Sequence, residues 1–294
     1  MQQNVFKGYL LAFIGICILS PDSLLIRLAG NDPWVIGAWR GVLTGIMILL
    51  YNQWLDKRSL VEQKGDTHYR YYGNILLFAI SNFLFTYGIS KANVTDVLVI
   101  ISFTPLISAF LSAVFLHEKV LFRTWVATLI CAIGLTILFS QSSGQSQPIG
   151  LAAAAGCAIL MAAQLVIIRS CPQANLTSSI GFGGILGGLV CFMLVGVVIL
   201  PGAQMLAILG IGFIVGPVSF VLLVYSLRYV TAAETSLIML LESVFGSLLV
   251  WVFLGEYPTL QTTLAGVLIL GTLTVYSILT LHEVKKATLI NTNS

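Results

Sequence analysis

Apolar residues dominate this chain in long runs, and short polar segments separate the runs. A run of about twenty apolar residues is long enough to cross the hydrocarbon core of a bilayer as a helix. The pattern predicts ten membrane-spanning helices, over residues 8–28, 34–54, 71–90, 96–116, 123–140, 148–168, 177–199, 204–226, 232–253 and 260–280.

Composition places the chain in a membrane rather than in solution. Hydrophobic residues make up 58% of the chain and charged residues 9%, whereas a soluble domain carries roughly 25% charged residues. The net charge of +3 is too small to suggest a nucleic-acid partner. The five cysteines show no CxxC or Cys/His spacing, so we expect no metal, no disulfide and no cofactor.

The positive charges are distributed unevenly between the two sides of the predicted bundle. With the amino terminus inside the cell, 11 of the 14 Lys and Arg residues fall in inside segments, and the other three are Arg27, Arg40 and Lys91. Because cytoplasmic loops of membrane proteins carry an excess of Lys and Arg, both termini are predicted to be cytoplasmic.

The two halves of the sequence resemble each other. With a shift of 142 residues the first predicted helix lies over the sixth, and Asp22 meets Gln164. Further along the chain, a shift of 138 residues pairs Tyr87 with Tyr225, Asp96 with Glu234, and Glu118 with Glu256.

The repeat predicts how the halves are arranged. Residues 1–143 form the first unit, with predicted helices one to five, and residues 144–294 form the second. Each unit has an odd number of helices, so the two copies must lie upside-down to one another. Inverted repeats are typical of transporters that work by alternating access. The alternative is a chance likeness between leucine-rich helices.

Two stretches carry a resemblance to a known family. The stretches "YGISKANVTDVLVIISFTPLISAFLSAVFLHE" and "YSLRYVTAAETSLIMLLESVFGSLLVWVFLGE" resemble the two halves of the drug/metabolite transporter superfamily, EamA-like branch. That family has a small-residue turn after the third helix of each half, and its fourth helix ends near an L-G-E turn. This chain has "NVTD" and "VTAAE" at the turns, and "LHE" and "LGE" at the ends. It departs at Ser243, where the family often has proline.

The resemblance implies a fold, a location and an activity. The fold is an all-α integral membrane protein in which ten transmembrane helices form two inverted five-helix repeats around a central cavity. The implied location is the plasma (cell inner) membrane, and the implied activity is transport rather than catalysis.

Glu242 is the ionisable residue predicted to lie deepest in the membrane. It is about ten residues from either end of the ninth predicted helix, hence about 15 Å deep at a rise of about 1.5 Å per residue. A carboxylate at that depth is costly, so it should face the interior of the bundle. It contacts a substrate cation or carries a coupling proton, or else it only hydrogen-bonds within the bundle and holds helices together.

Asp22 and Arg40 are predicted to lie at equal depth on neighbouring helices. Each is about six residues from the outer end of its helix, which places both about 9 Å below the outer surface. A short loop joins the two helices, so we expect them to be antiparallel neighbours and the opposite charges to pair. The pair is either a structural salt bridge or a contact to substrate or gate, and Arg40 has the further alternative of snorkelling outward.

Polar and aromatic side chains on several helices complete the candidate site. Each alone is typical of packing or of an interfacial aromatic belt, but the set agrees with the central cavity that the resemblance implies. Pro105, in the middle of the fourth helix, is expected to kink it. The predicted substrate-binding residues are Asp22, Trp39, Arg40, Asn82, Tyr87, Ser102, Thr104, Gln164, Tyr225 and Glu242, and Glu242 is also the proton-coupling candidate.

Glycines on the seventh predicted helix are spaced for close helix contact. Gly183/Gly187 and Gly184/Gly188 are GxxxG pairs, which let two helix backbones approach each other. We expect these pairs to pack inside the bundle rather than between subunits, and we therefore expect a monomer.

These features favour a secondary transporter that moves a small polar or amphipathic metabolite, amino-acid-like or related, by alternating access. We expect export. The sequence has no nucleotide-binding P-loop, so a proton gradient or exchange must supply the energy.

The alternatives are a channel or sensor that does not transport, and a polytopic membrane enzyme. An enzyme is disfavoured because "HEKVL" lacks the second histidine of HExxH and no GxSxG occurs. The expected partners are a small-molecule substrate and the lipid bilayer.

Overall fold

The computed structural model describes residues 2–30, 32–55, 68–92, 94–117, 122–139, 147–171 and 174–254, with 267–268, 271–272 and 275–276. Helices account for nearly all of these residues. They are α1 (Gln2–Leu19), α2 (Asp22–Ala29), α3 (Pro33–Leu55), α4 (His68–Lys91), α5 (Val94–Ile101), α6 (Thr104–Phe115), α7 (Phe122–Phe139), α8 (Pro148–Arg169), α9 (Thr177–Val195), α10 (Gly202–Gly210), a π-helical segment (Ile211–Val215), α11 (Gly216–Ser226), α12 (Ala232–Met239) and α13 (Leu241–Leu254).

Within the described residues, six segments are long and apolar enough to cross a membrane. They correspond to the first, second, third, sixth, seventh and eighth predicted helices, and the all-helical membrane class is confirmed. The tenth predicted helix lies mostly outside the described residues. The six segments are Val5–Ala29, Pro33–Leu55, His68–Lys91, Pro148–Arg169, Thr177–Val195 and Gly202–Ser226.

The first predicted helix is interrupted rather than continuous. Ser20 and Pro21 separate α1 from α2. Proline has no backbone N–H, so it cannot continue the helical hydrogen-bond ladder. The Ser20 N–H and hydroxyl both donate to the Ile16 carbonyl, at 2.9 and 2.7 Å, so the Ser20 hydroxyl at the break is satisfied.

The fourth predicted helix is interrupted at Ser102 and Phe103, between α5 and α6. Pro105 lies in the first turn of α6 and cannot donate to the carbonyl of Ile101. The Thr104 hydroxyl donates to that carbonyl at 2.6 Å. The expected distortion at Pro105 is therefore present as a complete break in the helix.

The ninth predicted helix breaks at Leu240, between α12 and α13. Leu240 is the position that a shift of 138 residues pairs with Ser102, so the interruptions of the fourth and ninth predicted helices fall at equivalent places. This break occurs although the chain lacks the proline that the family often has nearby, which the sequence alone did not predict.

The seventh predicted helix is shorter than expected. The prediction extended to residue 199, but α9 ends at Val195, and Gly196 follows with a φ of 77°. A positive φ is a backbone conformation that glycine adopts without steric cost, so the helix stops there. Residues 196–201 are not helical, and Trp39 Nε1 donates to the Val198 carbonyl at 2.8 Å.

The eighth predicted helix contains the π-helical segment Ile211–Val215. Pro217 follows in the first turn of α11 and cannot donate to the carbonyl of Phe213. The Tyr51 hydroxyl on α3 donates to that carbonyl at 3.0 Å. The distorted segment is thus joined to the second predicted helix.

Helices α3 and α9 approach until their backbones touch, and glycines allow the contact. A methyl group placed on Gly188 would lie 2.6 Å from the Val42 nitrogen and 2.7 Å from the Ala38 carbonyl oxygen, and one on Gly45 would lie 2.5 Å from the Gly181 carbonyl oxygen. Gly183 and Gly187 make similar contacts with α4. The expectation that the GxxxG glycines pack inside the bundle is confirmed.

The α3–α9 contact predicts a position-specific effect of alanine. Gly188→Ala should lower the stability of the fold by about 1–3 kcal/mol, because the added methyl group overlaps fixed backbone atoms. Gly73→Ala is the matched control, since nothing lies within 4 Å of a methyl group at Gly73. Alanine should there be neutral, or stabilising by up to about 1 kcal/mol through helix propensity. Unfolding by SDS titration in detergent micelles measures both, and equal effects would contradict the close contact.

Candidate functional site

A cavity lies between the two halves of the sequence. The first half contributes Leu19, Asp22, Arg40, Phe78, Ser81, Asn82, Phe85 and Ile101, and the second contributes Cys157, Met161, Gln164, Leu165, Ile168, Ile180, Phe220, Leu223, Val224, Leu227, Met239 and Glu242.

The cavity lies where the three helices are interrupted. Asp22, Ile101 and Glu242 each adjoin a break and each lines the cavity. Irregular backbone at membrane depth is tolerated where it is buried in protein or lines a cavity. The breaks therefore bring both acidic side chains to the cavity wall, each in the first turn of a new helix.

Asp22, Arg40 and Asn82 form a buried polar cluster. Arg40 Nη2 lies 2.6 Å from Asp22 Oδ2, and the two side chains are 4% and 2% exposed. Arg40 Nη1 donates to Asn82 Oδ1. The guanidinium also lies over the Phe85 ring, with its carbon 5.5 Å from the ring centre. The predicted pair is thus formed, and the snorkelling alternative for Arg40 is wrong.

Two atoms of this cluster have no hydrogen-bond partner among the described residues. They are Asp22 Oδ1, an acceptor, and Arg40 Nε, a donor, and both are buried. A buried polar atom without a partner costs about 1–3 kcal/mol. The cluster is therefore not fully satisfied by the protein, in contrast to the well-paired groups that usually fill a helix bundle.

Glu242 lines the same cavity and is 9% exposed. Its carboxylate forms no hydrogen bond or ion pair with the described residues. Asp22 and Arg40 are near enough to act on it electrostatically. The first turn of α13 provides a partly positive helix end, which is a small favourable contribution for an anion. Among the residues that the structure describes, Glu242 is thus a carboxylate without a direct partner, and it lies in a largely apolar cavity.

Glu234, eight residues earlier, has the opposite environment. Its side chain and that of Thr231 form a capping box at the start of α12. The Tyr9 hydroxyl donates to Glu234 Oε1 at 2.8 Å, and the Tyr276 hydroxyl lies 3.4 Å from the same oxygen. This carboxylate is satisfied by the protein and has a structural role, so the hydrogen-bonded alternative considered for Glu242 describes Glu234 better.

The remaining cavity wall is mostly apolar and aromatic. Phe78 and Phe220 meet edge to face, with ring centres 5.1 Å apart and an interplanar angle of 86°. Met161 and Met239 also line the cavity, and methionine adapts its shape readily to a bound apolar group. Gln164 Nε2 donates to Ser81 Oγ at 3.3 Å, which adds one neutral polar patch.

The structure brings together half of the ten predicted site residues. Asp22, Arg40, Asn82, Gln164 and Glu242 line the cavity.

The other five predicted residues lie outside the cavity. The Trp39 indole is bonded to Val198, and the Tyr87 ring packs near Trp34 and Phe83. Ser102 is buried at the break before α6. Thr104 is bonded to Ile101, and the Tyr225 ring lies under Arg228, 4.4 Å from its guanidinium carbon. Their role as substrate contacts stays a prediction.

Sequence reasoning missed several residues of the cavity wall. Ser81 and Cys157 are the polar examples, and Phe78, Phe85, Phe220, Met161 and Met239 are the apolar ones. A polar residue within an apolar run was the signal that identified the others. A phenylalanine or methionine gives no such signal, because the same residues also face lipid.

Comparison with known proteins identifies related chains. The profile of the EamA-like transporter family matches residues 6–140 and 148–278. The uncharacterized transporter YdfC of Bacillus subtilis is 26% identical over 274 residues, which is 88% of this chain and 86% of that protein. A Rickettsia bellii protein named as an S-adenosylmethionine uptake transporter is 27% identical over 113 residues, or 38% of each chain.

A solved crystal structure shares the fold. It matches with a TM-score of 0.76 over 92% of this chain and 98% of that one, at 18% sequence identity. The likeness extends over almost the whole chain, so the arrangement of helices around the cavity is that of a known architecture.

The buried pair predicts strong coupling between Asp22 and Arg40. Arg40→Met should cost about 3–5 kcal/mol, because it leaves a carboxylate buried without its cation. The double change of Asp22→Asn with Arg40→Met removes both charges and should cost clearly less than the sum of the single changes. SDS titration of the four proteins measures this cycle, and additive effects would show that the two side chains do not interact.

Proposed function

Because the chain belongs to the EamA-like transporter family, we propose that it is a secondary transporter that moves a small polar or amphipathic metabolite by alternating access. One observation carries the proposal: Glu242, a carboxylate that bonds to no described group, lines a cavity between the two halves of the chain. An ionisable group held inside a membrane bundle is a functional candidate by default.

The proposed architecture has ten transmembrane helices in two inverted repeats, residues 1–143 and 144–294. The family profile matches the chain in two segments, which supports a duplication. The equivalent breaks at Ser102 and Leu240 support it as well. We further propose a monomer in the plasma (cell inner) membrane with both termini cytoplasmic, on the basis of the distribution of Lys and Arg.

Polar contacts at opposite ends of the bundle provide the two closures that alternating access needs. Asp22, Arg40 and Asn82 join α2, α3 and α4 on the predicted outer side. Tyr9 and Glu234 join α1 to α12 on the predicted inner side. The cavity lies between them, so opening one closure while the other holds would expose it to one side at a time.

The driving force is proposed to act through Glu242. A buried carboxylate without a partner is unfavourable, and a proton or a substrate cation relieves that cost. Binding and release of a proton there would couple transport to the proton gradient, and binding of a substrate cation there would support exchange. Both agree with the absence of a nucleotide-binding loop from the sequence.

The substrate is proposed to be amino-acid-like or related. The partial relative from Rickettsia bellii is named for S-adenosylmethionine, an amino-acid derivative, which agrees with that class. We propose export as the direction of transport. That relative is named for uptake, so the assay must detect movement both ways.

Replacement of Glu242 tests the proposal. In proteoliposomes, Glu242→Gln should abolish gradient-driven accumulation of a transported compound. Asp32→Asn is the matched control, because the exposed Asp32 lies outside the cavity and asparagine keeps the Oδ1 that accepts from the Trp34 N–H. It should keep gradient-driven accumulation.

Two results would contradict this account. Unchanged uphill transport by Glu242→Gln would exclude Glu242 as the coupling group. Steady ion conductance of the wild-type protein in planar bilayers would favour a channel over a transporter.

A further inference from the structure

We propose that the cavity selects an amphipathic organic cation, which has one ammonium group and an aromatic or aliphatic body. A zwitterion or an anion binds less tightly in the same cavity. The inference rests on the proposed transport function, and it replaces the amino-acid-like class proposed above by amines that lack a free carboxylate.

The first step is that the positive charge of Arg40 is already paired within the protein. Its guanidinium is ion-paired with Asp22 at 2.6 Å, donates to Asn82, and lies over the Phe85 ring. Its side chain is 4% exposed. The charge of Arg40 is therefore balanced by Asp22. Among the described residues only its Nε lacks a partner, so a substrate carboxylate would meet one donor of an already neutralised guanidinium.

The second step is the charge that remains. Among the described residues that line the cavity, Arg40 is the only cation, and Asp22 and Glu242 are the only anions. One positive charge against two negative charges leaves a formal charge of −1 when both carboxylates are ionised. That charge resides on Glu242, because the charge of Asp22 is balanced by Arg40.

The third step is that the Glu242 carboxylate lies where a substrate in the cavity can contact it. Glu242 reaches the cavity from the first turn of α13, and its oxygens bond to no described group. A buried charge requires a counter-charge or neutralisation. A substrate ammonium meets that requirement directly. A neutral ligand meets it only if Glu242 also takes up a proton, and an anion adds repulsion.

The fourth step concerns the rest of the ligand. Phe78 and Phe220 present aromatic surfaces, and an ammonium group is attracted to the face of an aromatic ring. Met161, Met239 and Leu223 add an adaptable apolar wall. An apolar body would replace contacts with water by contacts with these side chains.

Four probes that share a phenylethyl body test the charge selection. They are N,N,N-trimethyl-2-phenylethylammonium as the cation, N-acetyl-2-phenylethylamine as the neutral compound, phenylalanine as the zwitterion and 3-phenylpropionate as the anion. Isothermal titration calorimetry on the purified protein in detergent measures their affinities. The ammonium should bind at least tenfold more tightly than each of the other three.

The protein variants separate recognition of the ligand's charge from nonspecific apolar binding. Glu242→Gln should weaken binding of the ammonium at least tenfold and leave the neutral probe within about twofold. Asp32→Asn, which removes an exposed carboxylate outside the cavity, should bind all four probes as the wild type does. If Glu242→Gln fails to fold, Glu242→Asp retains the charge and should keep the preference for the ammonium over the neutral probe.

The outcomes distinguish this inference from the transport proposal. Tightest binding of phenylalanine, absence of ammonium binding, or unchanged ammonium binding by Glu242→Gln would each overturn the cation assignment. Counterflow of phenylalanine without ammonium binding would overturn it while leaving transport standing. Ammonium binding at Glu242 without counterflow would support the cation site and contradict the transport proposal.

Discussion

Every polar group that this chain carries into the bilayer must be satisfied within the protein, because hydrocarbon supplies neither hydrogen bonds nor counter-ions. The described structure meets this constraint in two ways. Where proline interrupts a helix, the hydroxyl of Thr104 or Tyr51 donates a hydrogen bond to the backbone carbonyl that the proline cannot reach. Where charge is present, it lies within the bundle, as with Asp22 and Arg40. Glycines also let α3 and α9 pack backbone against backbone.

A functional site is expected where a polar group within the bilayer lacks a partner in the protein. The two halves break a helix at equivalent places, but the residues that follow differ. Thr104 bonds back to its own helix, whereas Glu242, at the equivalent position, has no such bond. Glu234 and Glu242 lie on one interrupted helix, and only Glu234 is fully partnered. The difference between the halves, rather than the frame that they share, therefore marks the candidate site.

The sequence predicted the class, the six described spans and the buried pair, because each depends on a local pattern. Long apolar runs identify spans, and rare charges at equal depth identify a pair. It could not predict the early end of α9 or the break at Leu240, since Gly196 and Leu240 are not unusual within apolar runs. It also could not divide the polar residues into those that line the cavity and those, such as Tyr87, that pack elsewhere. That division depends on how each helix is rotated about its own axis. A helix with apolar residues on every side has no sequence pattern that specifies this rotation.

The central claim is that one cavity between the two halves binds the substrate and that Glu242 is the charged group which holds it. The most direct measurement is an experimental structure with a transported compound bound. The account predicts ligand density in that cavity, in contact with Glu242 and bordered by Phe78 and Phe220. Ligand density at another place in the bundle, or in this cavity without contact to Glu242, would contradict it.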